Sequence, residues 1–414
     1  MKQAVIVSAV RSPIGRAVKG ALRSMRSDDL ATQMVTAALA EVPTLDPNEI
    51  DDLLLGCGLP GGMQGFNMAR VVAVRAGLDG VGGATVTRYC ASSVQTTRMA
   101  FHSIRAGEGD VFISAGVESV SGYAAGNSDR PAADCAEHVA DWRNPDFAGA
   151  RERSLARAAG GAPAWTDPRE AEDLPDVYIA MGQTAENVAQ IRGVSRADQD
   201  EFGCRSQNLA EASLANGFWA REVTPVTLAD GTTVTVDDGI RAGVTVAAMA
   251  GLKPVFRPDG TVTAGNCCPL NDGAAALVVM SDSKAREMGV PSLARIVSTG
   301  VCGLSPEIMG LGPVEATRRA LSAAGMTMAD IDLVEINEAF AAQVLASARE
   351  LEIPMEKLNV NGGAIAIGHP FGMTGARITT TMLNSLRSHD KTFGLVTMCV
   401  GGGQGMAMII ERLK

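Results

Sequence analysis

The sequence predicts an α/β fold made of two similar halves. Apolar β-type runs alternate with helical patterns along the 414 residues, as they do where helices cover parallel sheets. Short strings recur in the same order in the two halves of the chain. The composition, 46% hydrophobic and 20% charged with 46 glycines, is that of a globular protein with ample length for a core.

Taken in order, "AVIVSAV" (4–10) reads as the first strand rather than a signal peptide, because Arg11 interrupts the apolar patch and no cleavage pattern follows. "LATQMVTAALAEV" (30–42) reads as an amphipathic helix, with Ser27, Asp28 and Asp29 as its caps. "VFISAGV" (111–117), "ALVVM" (276–280), "LVEIN" (333–337) and "LVTMCV" (395–400) read as further strands. "NEIDDLLLG" (48–56) resembles "ADIDLVEIN" (329–337). Each is followed by a helix start rich in small residues, at Cys90 and at "GHPFGMTGAR" (368–377), and then by a strand ending in glycine. Between the halves, 122–180 is rich in Gly, Pro, Asp and Arg, while 181–250 holds two helical stretches and the polar "LADGTTVTVDDGIRAG". This region reads as an insertion covering a substrate.

A net charge of −10 argues against nucleic acid as the main partner, so an anionic ligand needs local arginines. No apolar run has the length of a membrane span. The eight cysteines (57, 90, 135, 204, 267, 268, 302 and 399) form no C-x-x-C pair, and adjacent 267–268 suit a metal poorly. Reduced thiols and a cytoplasmic location are expected, with no metal.

In "TVTRYCASSVQTT" (85–97), Cys90 stands where an extended run turns into a helix. Helix N-termini stabilise thiolates and can lower a thiol pKa to about 3.5–7.5. A buried inert cysteine is the competing reading. Of the four histidines, His102, His138 and His389 read as surface or packing residues. His369 alone sits in a glycine-dense turn, "NVNGGAIAIGHPFGMTGAR", whose backbone is shaped for close approach. Cys399 ends a strand before "VGGGQG". That run is no dinucleotide loop, because Met406 takes the last glycine's place, but its N–H groups could approach an oxyanion. Asn337 and Glu338 sit at a strand-to-helix change, where Asn is either a cap or a group that holds a water or carbonyl.

Cys90, "NEAFA", "GHPFG" and "MCVGGGQG", in this order, resemble the thiolase family over essentially the whole chain. The resemblance implies two βαβαβαββ halves layered α/β/α/β/α, with a loop domain inserted into the first. The implied division is 1–121 with 251–291, the insertion 122–250, and 292–414. It implies an acyltransferase in which Cys90 is the nucleophile toward a CoA thioester. His369 activates it and, with a water held by Asn337, forms one oxyanion site. Cys399 is the general acid/base, and the N–H groups of Cys90 and Gly401 form the second oxyanion site. Two thiols are needed because an acylated one cannot also shuttle a proton.

Met181, Arg241, Ala264, Cys268 and Phe340 are implied as CoA and substrate contacts, with Arg241 stacked on adenine. Where family members usually carry serines, this chain has Cys267 and Cys268, and a weak thiol donor replaces a hydroxyl. CoA is a substrate, and no permanently bound cofactor is implied. A homodimer or homotetramer is implied, with no membrane partner. Ala180, where acetoacetyl-type members have His, and the long insertion point to larger 3-ketoacyl-CoAs, as in actinobacterial thiolases of fatty-acid and steroid catabolism. The alternatives are a biosynthetic acetoacetyl-CoA-forming enzyme and a non-catalytic CoA-binding relative. A decarboxylating ketosynthase has His or Asn at the position of Cys399, and the sterol-carrier type lacks "NEAF".

Overall fold

The computed structural model describes residues 2–129 and 142–413; His138 and Cys135 lie outside the described residues. Strands β1 (Ala4–Arg11), β2 (Asp52–Cys57), β3 (Gly82–Val86), β4 (Val111–Ser119) and β5 (Asn271–Ser281) belong to the first half. Strands β6 (Ala294–Gly303), β7 (Leu333–Ile336), β8 (Phe393–Val400) and β9 (Gln404–Arg412) belong to the second. All nine join one mixed sheet in the order β7-β8-β9-β6-β1-β5-β4-β2-β3, and a two-residue strand, Gly15–Arg16, pairs with the start of β5.

The halves repeat the same pairings. β2 runs parallel to β4 as β7 does to β8. β4 and β5 are antiparallel like β8 and β9, and the last strand of each half returns antiparallel to its first. Two register pairs, Val5 with Arg295 and Ile6 with Ala294, join the half-sheets. The counterpart of β3 in the second half is a single parallel bridge between Val334 and Leu358. Pro354, and Asn359 and Gly362 at φ +44° and +83°, keep that segment from extending.

Helices α1 (Ser27–Ala40) and α2 (Met68–Arg75) pack on the outer face of the first half-sheet. Helices α3 (Ser92–Ala106), α4 (Met181–Arg192), α5 (Arg196–Ala215), α6 (Gly312–Ala324), α7 (Ala341–Glu350) and α8 (Phe371–Ser388) follow in the chain. Strand periodicity builds the layers. Ala275, Leu277 and Val279 of β5 and Met406, Met408 and Ile410 of β9 face one core with α3 and α8. The alternate residues Ala276, Val278 and Met280 face α1 and α2, while Ala407 and Ile409 face α6 and α7. The result is the expected α/β/α/β/α order with α3 and α8 in the middle. Gly375 of α8 lies so close to α3 that a Cβ would collide with the backbone nitrogen of Val94.

The expected caps of α1 differ. Arg26 is the N-cap residue and contributes no side-chain cap, and Ser27 already belongs to the first turn. Asp28 instead accepts from the Asp29 N–H at 3.1 Å and from Arg26, a role the small-polar pattern could not separate from capping. The insertion is pinned to β1 by buried charge. Arg11 Nε donates to Glu222 at 2.6 Å and its Nη atoms to Asp237 at 2.8 and 2.9 Å, with its guanidinium 5.5 Å from the Trp219 ring centroid. No helix among the described residues is long and apolar enough to cross a membrane.

Candidate active site

Cys90 lies in a single 3₁₀ turn, Tyr89–Ala91, between β3 and α3. Tyr89 has φ +42°, a conformation that costs a bulky residue roughly 1–3 kcal/mol and that its surroundings must impose. Ser92 does much of this: its hydroxyl donates to Tyr89 O at 2.6 Å and accepts the Arg88 N–H at 2.9 Å. The backbone N–H groups of Gly401 and of Cys90 itself act on the Cys90 sulfur by favouring its charged form. Gly401 follows β8 and lies between Tyr89 and Met181. A Cβ there would meet the Tyr89 ring at 3.3 Å and the Met181 sulfur at 3.7 Å, so the backbone lies close to both side chains.

The thiol is not acidified as the helix-terminus argument expects. Burial pushes Cys90 up to about 12 and the nearby Glu118 adds to this, while the two N–H donors only oppose it. The regular helix begins at Ser92, and desolvation of a thiolate outweighs two dipoles. Cys399 is also raised well above the usual thiol range, by burial and by the Cys90 charge. Cys268 is raised as well, by burial and by Cys267, Cys90 and Cys399, which places it among the two thiols.

His369 follows Gly368, whose φ is +112°, and its backbone N–H donates to Asn271 Oδ1 at 2.9 Å. Burial and the Arg377 charge lower its pKa to about 3, so the ring is neutral. The Thr374 hydroxyl donates to Pro370 O at 2.6 Å and can therefore only accept from the ring, 2.7 Å from Nδ1. This hydrogen-bond network assigns the proton to Nδ1 and leaves Nε2 with an unprotonated lone pair.

Arg377 Nη2 donates to Asn337 Oδ1 at 3.1 Å and Nη1 pairs with Glu335 at 2.9 Å. The Asn337 amide nitrogen is thereby turned toward His369, 3.4 and 3.3 Å from its two ring nitrogens. Asn337 caps no helix, since α7 starts at Ala341 after Phe340. Glu338 accepts from Ser206, Asn359 and the Ile365 N–H, a structural role in the buried interior. The first turn of α8, just after His369, packs on the Cys90 turn. The buried carboxylate of Glu118 ties the start of α8 to the end of β2, accepting N–H bonds from Gly58 at 2.7 Å and Gly372 at 2.8 Å.

Cys399, Phe340 and Met181 share one apolar cluster with Ala185, Val262, Met309, Ala339, Phe256 and Cys267. The Cys268 N–H donates to Ala339 O at 3.1 Å, tying the 263–275 loop to this wall. Farther out, Arg241 and Ala264 line a cavity of about 360 Å³ together with Arg16, Gln207, Met249 and Leu252. The structure thus gathers Cys90, Gly401, Cys399, Cys268 and Met181, sets Asn337 against His369, and places Arg241 and Ala264 on the adjoining cavity. Sequence reasoning missed Thr374, Arg377, Asn271, Glu118 and Arg16. Thr374 and Arg377 stood within the motif around His369 but carry no signal of their own there. Arg16 lay in an unremarked "IGRAV".

These electrostatics predict the pH response of the thiol. A group raised to about 12 is protonated at neutral pH, and its thiolate fraction grows tenfold per pH unit until that value is approached. Alkylation of Cys90 by iodoacetamide is therefore expected to rise about tenfold per unit from pH 6 to 9. A plateau across neutral pH, as a thiolate–imidazolium pair gives, would contradict this.

Two family models match consecutive parts of the chain: thiolase, N-terminal domain, over 4–283, and thiolase, C-terminal domain, over 290–412. A 3-ketoacyl-CoA thiolase of Shewanella loihica is 42% identical over 421 residues, covering 100% of both chains. One of Vibrio cholerae is likewise 42% identical over 421 residues with full coverage. The crystal structure of the Bacillus anthracis acetyl-CoA acetyltransferase matches with a TM-score of 0.85 and 37% identity, over 100% of this chain and 99% of that one. With both family models matched end to end and the pairing pattern repeated in its two halves, the chain belongs to the thiolase family.

Proposed function

We propose that this protein cleaves 3-ketoacyl-CoA with CoA, giving acetyl-CoA and a shortened acyl-CoA, in fatty-acid degradation. The observation that carries this is the His369 ring, held by Thr374 at Nδ1 with the Asn337 amide set against it, just before a helix that packs on the Cys90 turn. The full-length relatives named 3-ketoacyl-CoA thiolase support it.

In this reading the Cys90 sulfur attacks the 3-keto carbon as its proton passes to His369 Nε2. The bond between C2 and C3 then breaks. Cys399 gives its proton to the departing acetyl-CoA enolate, and the acyl group remains on Cys90. A CoA thiol next attacks the acyl carbon, its proton going to the Cys399 thiolate. The bond from that carbon to the Cys90 sulfur then breaks, and the departing sulfur takes back the proton held on His369. The Cys90 and Gly401 N–H groups hold the acyl oxygen, and a donor of this kind is worth about 2.7–4 kcal/mol in a transition state. The Asn337 amide nitrogen, oriented by Arg377, suits a water that would serve the second oxyanion with His369. Because Cys90 rests as a thiol and His369 as a neutral ring, proton transfer belongs to the attack and does not precede it.

Met181, Phe340, Ala264, Cys268 and Arg241 serve as CoA and substrate contacts, and the chain divides as 1–121 with 251–291, 122–250, and 292–414. The repeated pairing of the two half-sheets supports that division. A homodimer or homotetramer is supported by the open edge of β3, beside which Phe66 is 95% exposed; a monomeric mass in solution would refute it. The location we assign is cytoplasmic, in keeping with thiols that form no disulfide among the described residues; export of the protein from the cell would overturn it.

The acyl group assigned is larger than acetoacetyl, of fatty-acid or steroid origin, on the strength of Ala180 and the long insertion. The second reading, acetoacetyl-CoA formation, is favoured by the Bacillus anthracis match. Incubation with acyl- and 3-ketoacyl-CoAs of graded size, followed by intact-mass mapping, decides between them. Adducts of larger acyl groups on Cys90 are expected. Acetyl as the sole adduct would favour the second reading, and no adduct on Cys90 would overturn both.

A further inference from the structure

We propose that Arg16 is a specificity residue that grips the phosphate groups of CoA, an inference that rests on the CoA-dependent reading above. Two guanidinium groups, Arg16 and Arg241, line the cavity of about 360 Å³ that adjoins the thiols through the 264–269 loop. Neither has an ion-pair partner among the described residues. Arg16 is exposed, and apart from Arg241 the cavity-lining side chains named above are neutral. In a chain of net charge −10, an anionic ligand at this end of the cavity must be held by such local cations.

Asp238 Oδ2 accepts the backbone N–H groups of Arg16 at 3.0 Å and Ala21 at 2.8 Å, which fixes the main chain that carries the guanidinium. Arg16 also stands on a rigid base. Its two-residue strand pairs with Asn271, whose amide donates to Gly15 O at 3.0 Å and whose oxygen holds the His369 N–H at 2.9 Å. One asparagine therefore sets the spacing between the phosphate grip and the catalytic base. A planar guanidinium on such a footing is suited to bidentate recognition of a phosphate.

The test compares 3-ketooctanoyl-CoA with CoA, 3-ketooctanoyl-dephospho-CoA with dephospho-CoA, and 3-ketooctanoyl-pantetheine with pantetheine, in wild type, Arg16→Ala and Arg16→Lys. Arg16→Ala is expected to raise KM for the CoA pair about tenfold with kcat held, and to leave the pantetheine pair unchanged. Arg16→Lys should recover part of the loss. A penalty that persists with dephospho-CoA assigns Arg16 to the diphosphate, and one that vanishes assigns it to the 3′-phosphate. An unchanged KM for the CoA pair, or an equal penalty on the pantetheine pair, overturns the proposal while leaving thiolysis intact. Wild type inactive on every pair instead overturns the function. Direct calorimetry of CoA binding to wild type and Arg16→Ala then still decides the role of Arg16, by the presence or absence of a matching loss of affinity.

Discussion

Replacement of Cys90 by serine is expected to lower thiolysis by about 10⁴- to 10⁶-fold, the scale on which loss of a covalent nucleophile acts. The serine fits, because it differs by one atom in a turn held by Ser92. It fails chemically. A hydroxyl is a far weaker acid than even this raised thiol, and His369, lowered to about 3, is too weak a base to draw its proton. The substitution leaves the oxyanion donors in place, so binding of acyl-CoA should survive while turnover and the mass adduct vanish. Activity above about 1% of wild type, in protein shown free of contaminating enzyme, would show that another group, Cys268 or Cys399, can take the acyl chain.

The second large effect concerns stability. Arg11→Ala is expected to cost about 3–5 kcal/mol, because it leaves Glu222 and Asp237 buried with no countercharge. Urea unfolding followed by far-UV dichroism measures this. The penalty belongs to the stranded carboxylates rather than to lost packing alone, so Arg11→Ala combined with Asp237→Asn should lose less than the sum of the two single changes. A loss under 1 kcal/mol, or strict additivity, would mean that the cluster contributes little.

Much of the layering was legible because strands buried on both faces read as continuous apolar runs: "AAALVVM" and "LVTMCV" could be little else. The repeat of "NEIDDLLLG" and "ADIDLVEIN" marked β2 and β7, which take equivalent places in their half-sheets. What escaped depends on contacts between distant segments. Nothing in "LVTMCV" says that β9 lies between β8 and β6, nor does "AVIVSAV" announce its pairing with β6. The missing third strand of the second half follows from the turn conformations at Asn359 and Gly362.

Within the site, Cys90, Asn337, His369 and Cys399 carried motif signals, and the geometry sets Asn337 against His369 and Cys399 beside Cys90. The direction of the Cys90 shift was misjudged because a helix start is visible in sequence while the density of protein around a sulfur is not. Thr374, which sets the imidazole tautomer, is one of several threonines on α8 and gains meaning only from its 2.7 Å approach to Nδ1.

The seam between the half-sheets has a consequence for how this protein is made and lost. Only two register pairs connect β1 and β6, yet Cys90 comes from one side and Asn337, His369, Cys399 and Gly401 from the other. No fragment of the polypeptide holds a working centre by itself. During synthesis the nucleophile emerges early, and it waits for the last strands before it can react. In ageing or heated protein, any loosening of one side silences the whole, so catalytic output counts only molecules in which both sides are native and docked.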